Sequence, residues 1–142
     1  MIIHNKTLFY LLSCTWGIIM TLIGCIVGTI LLAAGCKPKK WGHCYYFEIG
    51  SGWGGLELGP IFLVSKTASE HTKNHELGHG FQNCWFGPLM PFIVSVPSAI
   101  RYWYREIRES KGNPCKTDYD SVWFEGQATK LGYEFMNQYN TK

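Results

Sequence analysis

The hardest constraint on this chain lies near its start. From Thr7 to Cys36 no residue carries a charge. Leu8 to Gly35 reads LFYLLSCTWGIIMTLIGCIVGTILLAAG. A helix lying on a soluble core would show a polar face at a period of about 3.6 residues, and this run has none. About 20 apolar residues suffice to cross a bilayer, so residues 7–36 are expected to form a transmembrane helix with length left for tilt. The expectation is therefore a single-pass membrane protein with the lipid bilayer as its first partner.

Two other readings of the run are weaker. A secretory signal has an apolar region of about 7–15 residues, which this run exceeds. Leu32-Ala33-Ala34-Gly35-Cys36 is similar to a bacterial lipoprotein cleavage site, but the length suits a retained span better. Lys37, Lys39 and Lys40 crowd the C-terminal end against Lys6 at the other, which leans the following domain towards the cytoplasm. Gly24 and Gly28 form a GxxxG pair, a weak signal for self-association through close helix approach.

Residues 37–142 form one domain of modest size. The whole chain is 46% hydrophobic and 15% aromatic, which excludes a disordered chain. A net charge of +3 is too small to argue for nucleic acid. Cys14, Cys25 and Cys36 lie in the apolar run. Cys44, Cys84 and Cys115 remain, an odd number that argues against a full disulfide framework.

Within this domain, Cys44–Ile49 and Leu56–Val64 are rich in aromatic and branched residues and read as two strands of a short antiparallel sheet, separated by the glycine-rich turn at 50–55. Pro60 marks the second as an edge strand or a bulge. Thr67 and Glu70 fit a capping box that opens a helix over about 68–83. Residues 84–104 are apolar up to Ile100 but carry three prolines, then a cluster of aromatics and arginines. They read as a re-entrant or interfacial segment, or else as buried core. Asp118 and Asp120 are candidate N-caps for a last helix over about 121–139. The fold class expected is α+β: a membrane helix followed by a small domain of a short sheet and helices.

The chemistry concentrates in His75-Glu76-Leu77-Gly78-His79, an HExxH motif. Residues four apart share a helix face, so both imidazoles can reach one Zn2+ ion. Glu76, one residue on, can take a proton from a water at the metal without ligating it. Gly78 is expected to leave room beside the ion. A catalytic zinc also needs a third protein ligand. No histidine follows His79, so a downstream ligand is acidic or Cys115. The acidic candidates are Asp118, Asp120, Glu125 and Glu134. Glu125 ranks first, because Gly126 and Ala128 would let its helix cross the first one closely. His71 lies one turn before His75, but three ligands stacked on one helix fan apart along its axis. It is expected outside the ligand set.

Here the chain resembles the gluzincin metallopeptidases, which pair HExxH with a later helix opening ExxxD or ExxAD. The later motif reads Glu125-Gly126-Gln127-Ala128-Thr129, with Thr129 in place of the final aspartate. In the family that aspartate orients a ligand histidine. Thr129 or Asp120 is expected to take over. The chain also looks like a family of small bacterial membrane proteins with a CTWGII-like span, a GLxLGxxIF-like strand and a HExGHxxQ helix. A GPL segment and a prolyl apolar stretch ending IPS follow in that family. The resemblance implies a membrane-anchored zinc metallopeptidase that hydrolyses peptide bonds. Tyr119 and Tyr133 are the candidates to stabilise the oxyanion. Gly59, Pro60, Ile61, Phe62, Leu63 and Val64 are expected to form the edge to which a peptide substrate adds as a strand. The alternatives are a non-catalytic membrane protein with a structural metal site and a membrane interaction protein without metal.

Overall fold

The computed structural model describes residues 2–141. The apolar N-terminal run forms two helices, α1 (Lys6–Cys14) and α2 (Ile18–Ala33), bent by 94°. The Thr15 hydroxyl donates to the Leu11 carbonyl at 2.7 Å, and the Gly17 N–H donates to the Leu12 carbonyl at 2.8 Å, which closes the last turn of α1. At Gly17 the Asn83 amide occupies the place of a Cβ and donates to the Gly17 carbonyl at 3.3 Å. Among the described residues no single helix is long and apolar enough to cross a membrane. The straight transmembrane helix expected over 7–36 is thus corrected to a clamped elbow.

Four strands follow: β1 (Lys39–Trp41), β2 (Cys44–Glu48), β3 (Gly55–Leu58) and β4 (Ile61–Val64). They form one mixed sheet in the order β1-β2-β4-β3, with β2 and β4 parallel and the other pairs antiparallel. The expected antiparallel pair is corrected here. The second apolar run folds back on itself at Gly59-Pro60, where Gly59 has φ 75° and leads a two-residue hairpin turn. Consequently Ile61, Phe62, Leu63 and Val64 lie inside the sheet, and Gly59 and Pro60 are its turn. The edge beyond them is β3. The GxxxG pair is also accounted for within the chain. Gly24 abuts the Leu58 carbonyl, and Gly28 faces Ile61 and Phe47, so both glycines seat α2 on its own sheet.

The next helix, α3 (Glu70–Phe86), is capped by Ser69, whose hydroxyl accepts from the Thr72 N–H at 3.3 Å. Ser69, two residues after Thr67, is the cap because Thr67 is already tied to Ser65. α3 is the central helix, buried continuously from Asn74 to Cys84. The chain then reverses by 115° through a 3-10 turn (Gly87–Leu89) and a π turn (Pro91–Ser95) into α4 (Val96–Ser110). Segment 84–104 is buried in part and exposed in part. Met90 and Val94 are buried, while Leu89, Phe92 and Val96 face outward. A 3-10 turn (Tyr119–Ser121) leads into α5 (Trp123–Tyr139), which neither Asp118 nor Asp120 caps. All six cysteines are free.

Two aromatic-rich clusters hold these elements together. Phe9, Phe62, Leu77, Phe81 and Phe135 form one, on the side of α1. Met20, Phe47, Leu58, Met90 and Phe124 form the other, under α2 and the reversal. α5 runs antiparallel across α3. A Cβ on Gly78 would overlap the Ala128 carbonyl, and one on Gly132 would overlap the Asn74 carbonyl. The space at Gly78 thus serves helix crossing, not the metal as the sequence suggested.

Because both collisions are with backbone, Gly78→Ala should cost about 3 kcal/mol or more, at the upper end of overpacking penalties. Lys130→Ala, at an exposed position of the partner helix α5, should stay within about 0.5 kcal/mol. Denaturant or thermal unfolding of the two variants checks the contrast.

Candidate metal centre

The antiparallel crossing sets His75 and His79 of α3 opposite Glu125 of α5. His75 Nε2 lies 3.0 Å from Glu125 Oε2, and His79 Nε2 lies 3.2 Å from the same oxygen. The two Nε2 atoms are 3.0 Å apart. His75, His79 and Glu125 are all buried, and their ligand atoms lie within 4.8 Å of one another. This group could hold a metal ion. Glu125 Oε1 is buried without a hydrogen-bond partner, so the carboxylate has coordinating capacity to spare.

Neighbouring hydrogen bonds decide which ring nitrogen faces inward. Gln82 Nε2 donates to the Phe124 carbonyl at 2.8 Å and to Gln127 Oε1 at 3.0 Å. A carbonyl only accepts, so the orientation of the Gln82 amide is set, and its Oε1 faces His79 Nδ1 at 2.7 Å. His79 therefore carries a proton on Nδ1 and directs Nε2 to the centre, where it donates to Glu125 until a cation displaces that proton. On the other ring, the Thr129 hydroxyl donates to Asp120 Oδ2 at 2.7 Å and accepts from His75 Nδ1 at 2.8 Å. Both imidazoles are thus held in the tautomer that binds a cation through Nε2. Thr129 and Asp120 form a relay where the resembled pattern has one aspartate.

The charges follow from this packing. Burial drives the His79 imidazolium down, but its bond to Glu125 and the charges of Glu76 and Glu125 win, raising it to about 9. Burial likewise opposes the Glu125 carboxylate, but hydrogen bonds from His75 and His79 hold it well below its ordinary range. Glu76 is displaced upward, by burial first and by Glu125 in addition, with the two histidines opposing. A site that gathers two imidazole nitrogens and a carboxylate while burying a further acid is electrically suited to a cation.

In front of the group lies a cavity of about 420 Å³ lined by His75, Glu76 and His79 together with Trp53, Leu56, Met90, Val94, Tyr102 and Trp103. Gly55 on β3 lies so close to the Glu76 carboxylate that a Cβ there would displace it. The cavity is bordered by edge strand β3 through Gly55, Leu56 and Glu57, and not by the residues 59–64 expected from sequence. Tyr119 lines it as well, with its hydroxyl 3.1 Å from Ser98 Oγ. Burial, then the Glu125 charge, keeps that phenol protonated. Tyr133 lies elsewhere, its hydroxyl 3.1 Å from Nδ1 of the exposed His71. His71 reaches the cavity rim but does not join the metal group. Cys115, Asp118 and Glu134 are also outside that group.

Gln82 closes the HExGHxxQ pattern but, like Gln127 and Glu57, has no role assigned from the sequence. Gln82 had a signal, since it lies three residues after His79 on the same helix face. Glu57 had none beyond its place in a strand. It is buried, its Oε1 accepts from the Gly59 N–H, and its Oε2 has no partner. No protein-family model, no curated protein and no solved structure matches the chain.

Two outcomes are expected. Thr129→Val should weaken divalent-cation binding about 10–100-fold by releasing His75 Nδ1, whereas Thr129→Asp should retain it; competition with a chelating dye reads both. For Glu57, burial raises the carboxyl to about 8, with Glu76 adding to the rise against His79 and the Gly59 N–H. The unfolded carboxyl titrates near its ordinary value of 4.5, so wild-type stability should fall as pH rises from there through about 8. Glu57→Gln should flatten that part of the stability profile measured by denaturant unfolding.

Proposed function

We propose that the chain is a zinc metallopeptidase. The observation that carries this reading is the convergence of His75 Nε2, His79 Nε2 and Glu125 Oε2 at the floor of a cavity that also holds Glu76. Two histidines and a glutamate, with a cavity on the open side, suit a catalytic zinc site. Zinc in this place supplies a Lewis acid and acidifies the attacking water.

The protein's own groups supply the rest. Glu76 receives the proton of the attacking water on its carboxylate and passes it to the leaving amine. Burial, which displaces it upward, strengthens it as a proton acceptor. Tyr119, held by Ser98, offers its hydroxyl proton to the carbonyl oxygen under attack. The free edge of β3 beside Gly55–Glu57 gives an extended peptide backbone hydrogen-bonding partners. Trp53, Leu56, Met90 and Val94 favour an apolar substrate side chain.

A structural metal site is the second reading. It wants four protein ligands. Among the described residues the group has three, with His71 turned to Tyr133, which weighs against it. A membrane interaction protein without metal leaves the alignment of both tautomers unexplained.

Metal analysis of the purified full chain, with an unstructured polypeptide as substrate, tests the proposal. The native chain should retain one zinc and cleave. Glu76→Gln should retain the zinc and lose about 10²–10⁴-fold in rate, the range of a lost acid–base group. Glu125→Ala should lose zinc. A native chain without stoichiometric zinc would overturn the proposal, as would unchanged cleavage by Glu76→Gln.

A further inference from the structure

We propose that the outward faces of α2 and α4, joined through the reversal after α3, form one membrane-docking surface. It enters a single leaflet of a bilayer containing anionic lipid and does not cross it. Two apolar stripes carry the argument. On α2, Ile19, Leu22, Ile23, Ile26 and Ile30 are exposed. Along the reversal and α4, Phe92, Val96, Ile100, Trp103 and Ile107 are exposed, at steps of three and four residues. That spacing is one continuous helical stripe. Exposed apolar side chains scattered singly need no explanation, whereas contiguous ones mark a docking surface. The stripes belong to one body. Ser95 Oγ lies 3.8 Å from Met20 Sδ, and the Trp16 indole donates to the Trp85 carbonyl at 3.2 Å.

The chemistry at the borders of the stripes selects a lipid surface over a protein partner. On α4 the half-buried Arg101 and Arg105 lie over the Tyr119 ring and Arg108 over the Tyr104 ring, with Glu106 and Glu109 exposed beside them, so α4 contributes its aromatic residues more than its charge. The exposed Lys37 and Lys40 follow the end of α2, where Lys39 is paired with Glu48. An apolar face bordered by lysine and by aromatic residues is the composition of an interfacial helix on anionic lipid. Trp16, Trp103 and Tyr104 are exposed, which suits the headgroup level.

The depth of insertion follows from α2. Its other face is committed, because Met20, Thr21, Gly24 and Gly28 are buried and the two glycines rest on the sheet. Its 16 residues reach about 24 Å, short of a hydrocarbon core of about 30 Å. To span, α2 would have to leave the sheet and expose Leu58 and Phe47. Trp103 belongs to both the stripe and the cavity lining, so docking sets the cavity mouth at the lipid surface. A polypeptide lying at that surface is then the substrate that reaches the site. This last step rests on the peptidase reading, while the docking itself does not.

The test uses the metal-free full chain and vesicles of phosphatidylcholine with or without phosphatidylglycerol. Flotation should recover the protein with the vesicles, more strongly with phosphatidylglycerol and less at high salt. Ile100→Glu/Ile107→Glu and, separately, Ile23→Glu/Ile26→Glu should each weaken partitioning about tenfold or more. All four positions except Ile23 are more than half exposed, so circular dichroism should show folded variants. No flotation of the native chain, or flotation unchanged in both folded double variants, would overturn the proposal. So would a detergent-free dimer that both double variants dissociate without any vesicle binding. For depth, Asn5→Cys and Lys37→Cys, in a background without Cys14, Cys25, Cys36 and Cys115, are treated with a membrane-impermeant maleimide outside sealed vesicles. Both should label; labelling of only one would show a crossing and overturn single-leaflet entry. Because no step requires zinc, failure here and failure of the peptidase reading are separately visible.

Discussion

The molecule is organised around a helix crossing in which two backbones nearly touch. Packed helices usually lie about 8–10 Å apart, separated by their side chains. Gly78 removes that separation at Ala128, and Gly132 removes it again at Asn74, one turn earlier on α3. The consequence is chemical. A glutamate side chain is short, and only a close crossing lets Glu125 Oε2 reach both His75 Nε2 and His79 Nε2. The same approach brings Thr129 to His75 and the Phe124 carbonyl to Gln82. A wider crossing would separate the carboxylate from the imidazoles and break both outer hydrogen bonds together.

This crossing also stores an electrostatic imbalance. Glu57, Glu76 and Glu125 are buried around a pair of imidazoles, and burial alone would neutralise each acid. The protein meets this partly with hydrogen bonds and partly with protons. Glu125 stays ionised against its two histidines, while Glu57 and Glu76 are pushed towards their protonated forms. Outer partners act on geometry more than on charge. The Gln82 amide and the Thr129–Asp120 relay engage Nδ1 of each ring, so both Nε2 atoms face inward.

The surfaces divide along the same axis. Buried aromatic clusters lie between sheet and helices, and edge strand β3 borders the cavity. α2 is apolar outward as well as inward, and α4, which has no buried residue, carries its apolar stripe outward, both unlike an ordinary surface helix. The elbow at Thr15–Gly17 makes this arrangement possible, because it lays α2 along the sheet where a straight continuation of α1 would carry it away.

Local pattern was enough to recover the α+β class, the helix bearing His75 and His79, and Glu125 as their partner. Each depends on relations within a few residues or on elimination among few candidates. Thr129 and Asp120 could be named as substitutes, but not as a relay, since their connection through one hydroxyl exists only once α5 lies across α3. Strand order was not legible: periodicity shows that residues 56–64 are extended, not that Gly59-Pro60 folds them into a hairpin with β3 at the edge. Nor does hydropathy reveal a bend, because a charge-free run reads the same straight or broken. The break at Gly17 is decided by Asn83, far along the chain, and the positions of Gly24 and Gly28 by the sheet that comes after them. Composition and spacing determined which residues could do chemistry; the packing of distant backbones decided which of them meet.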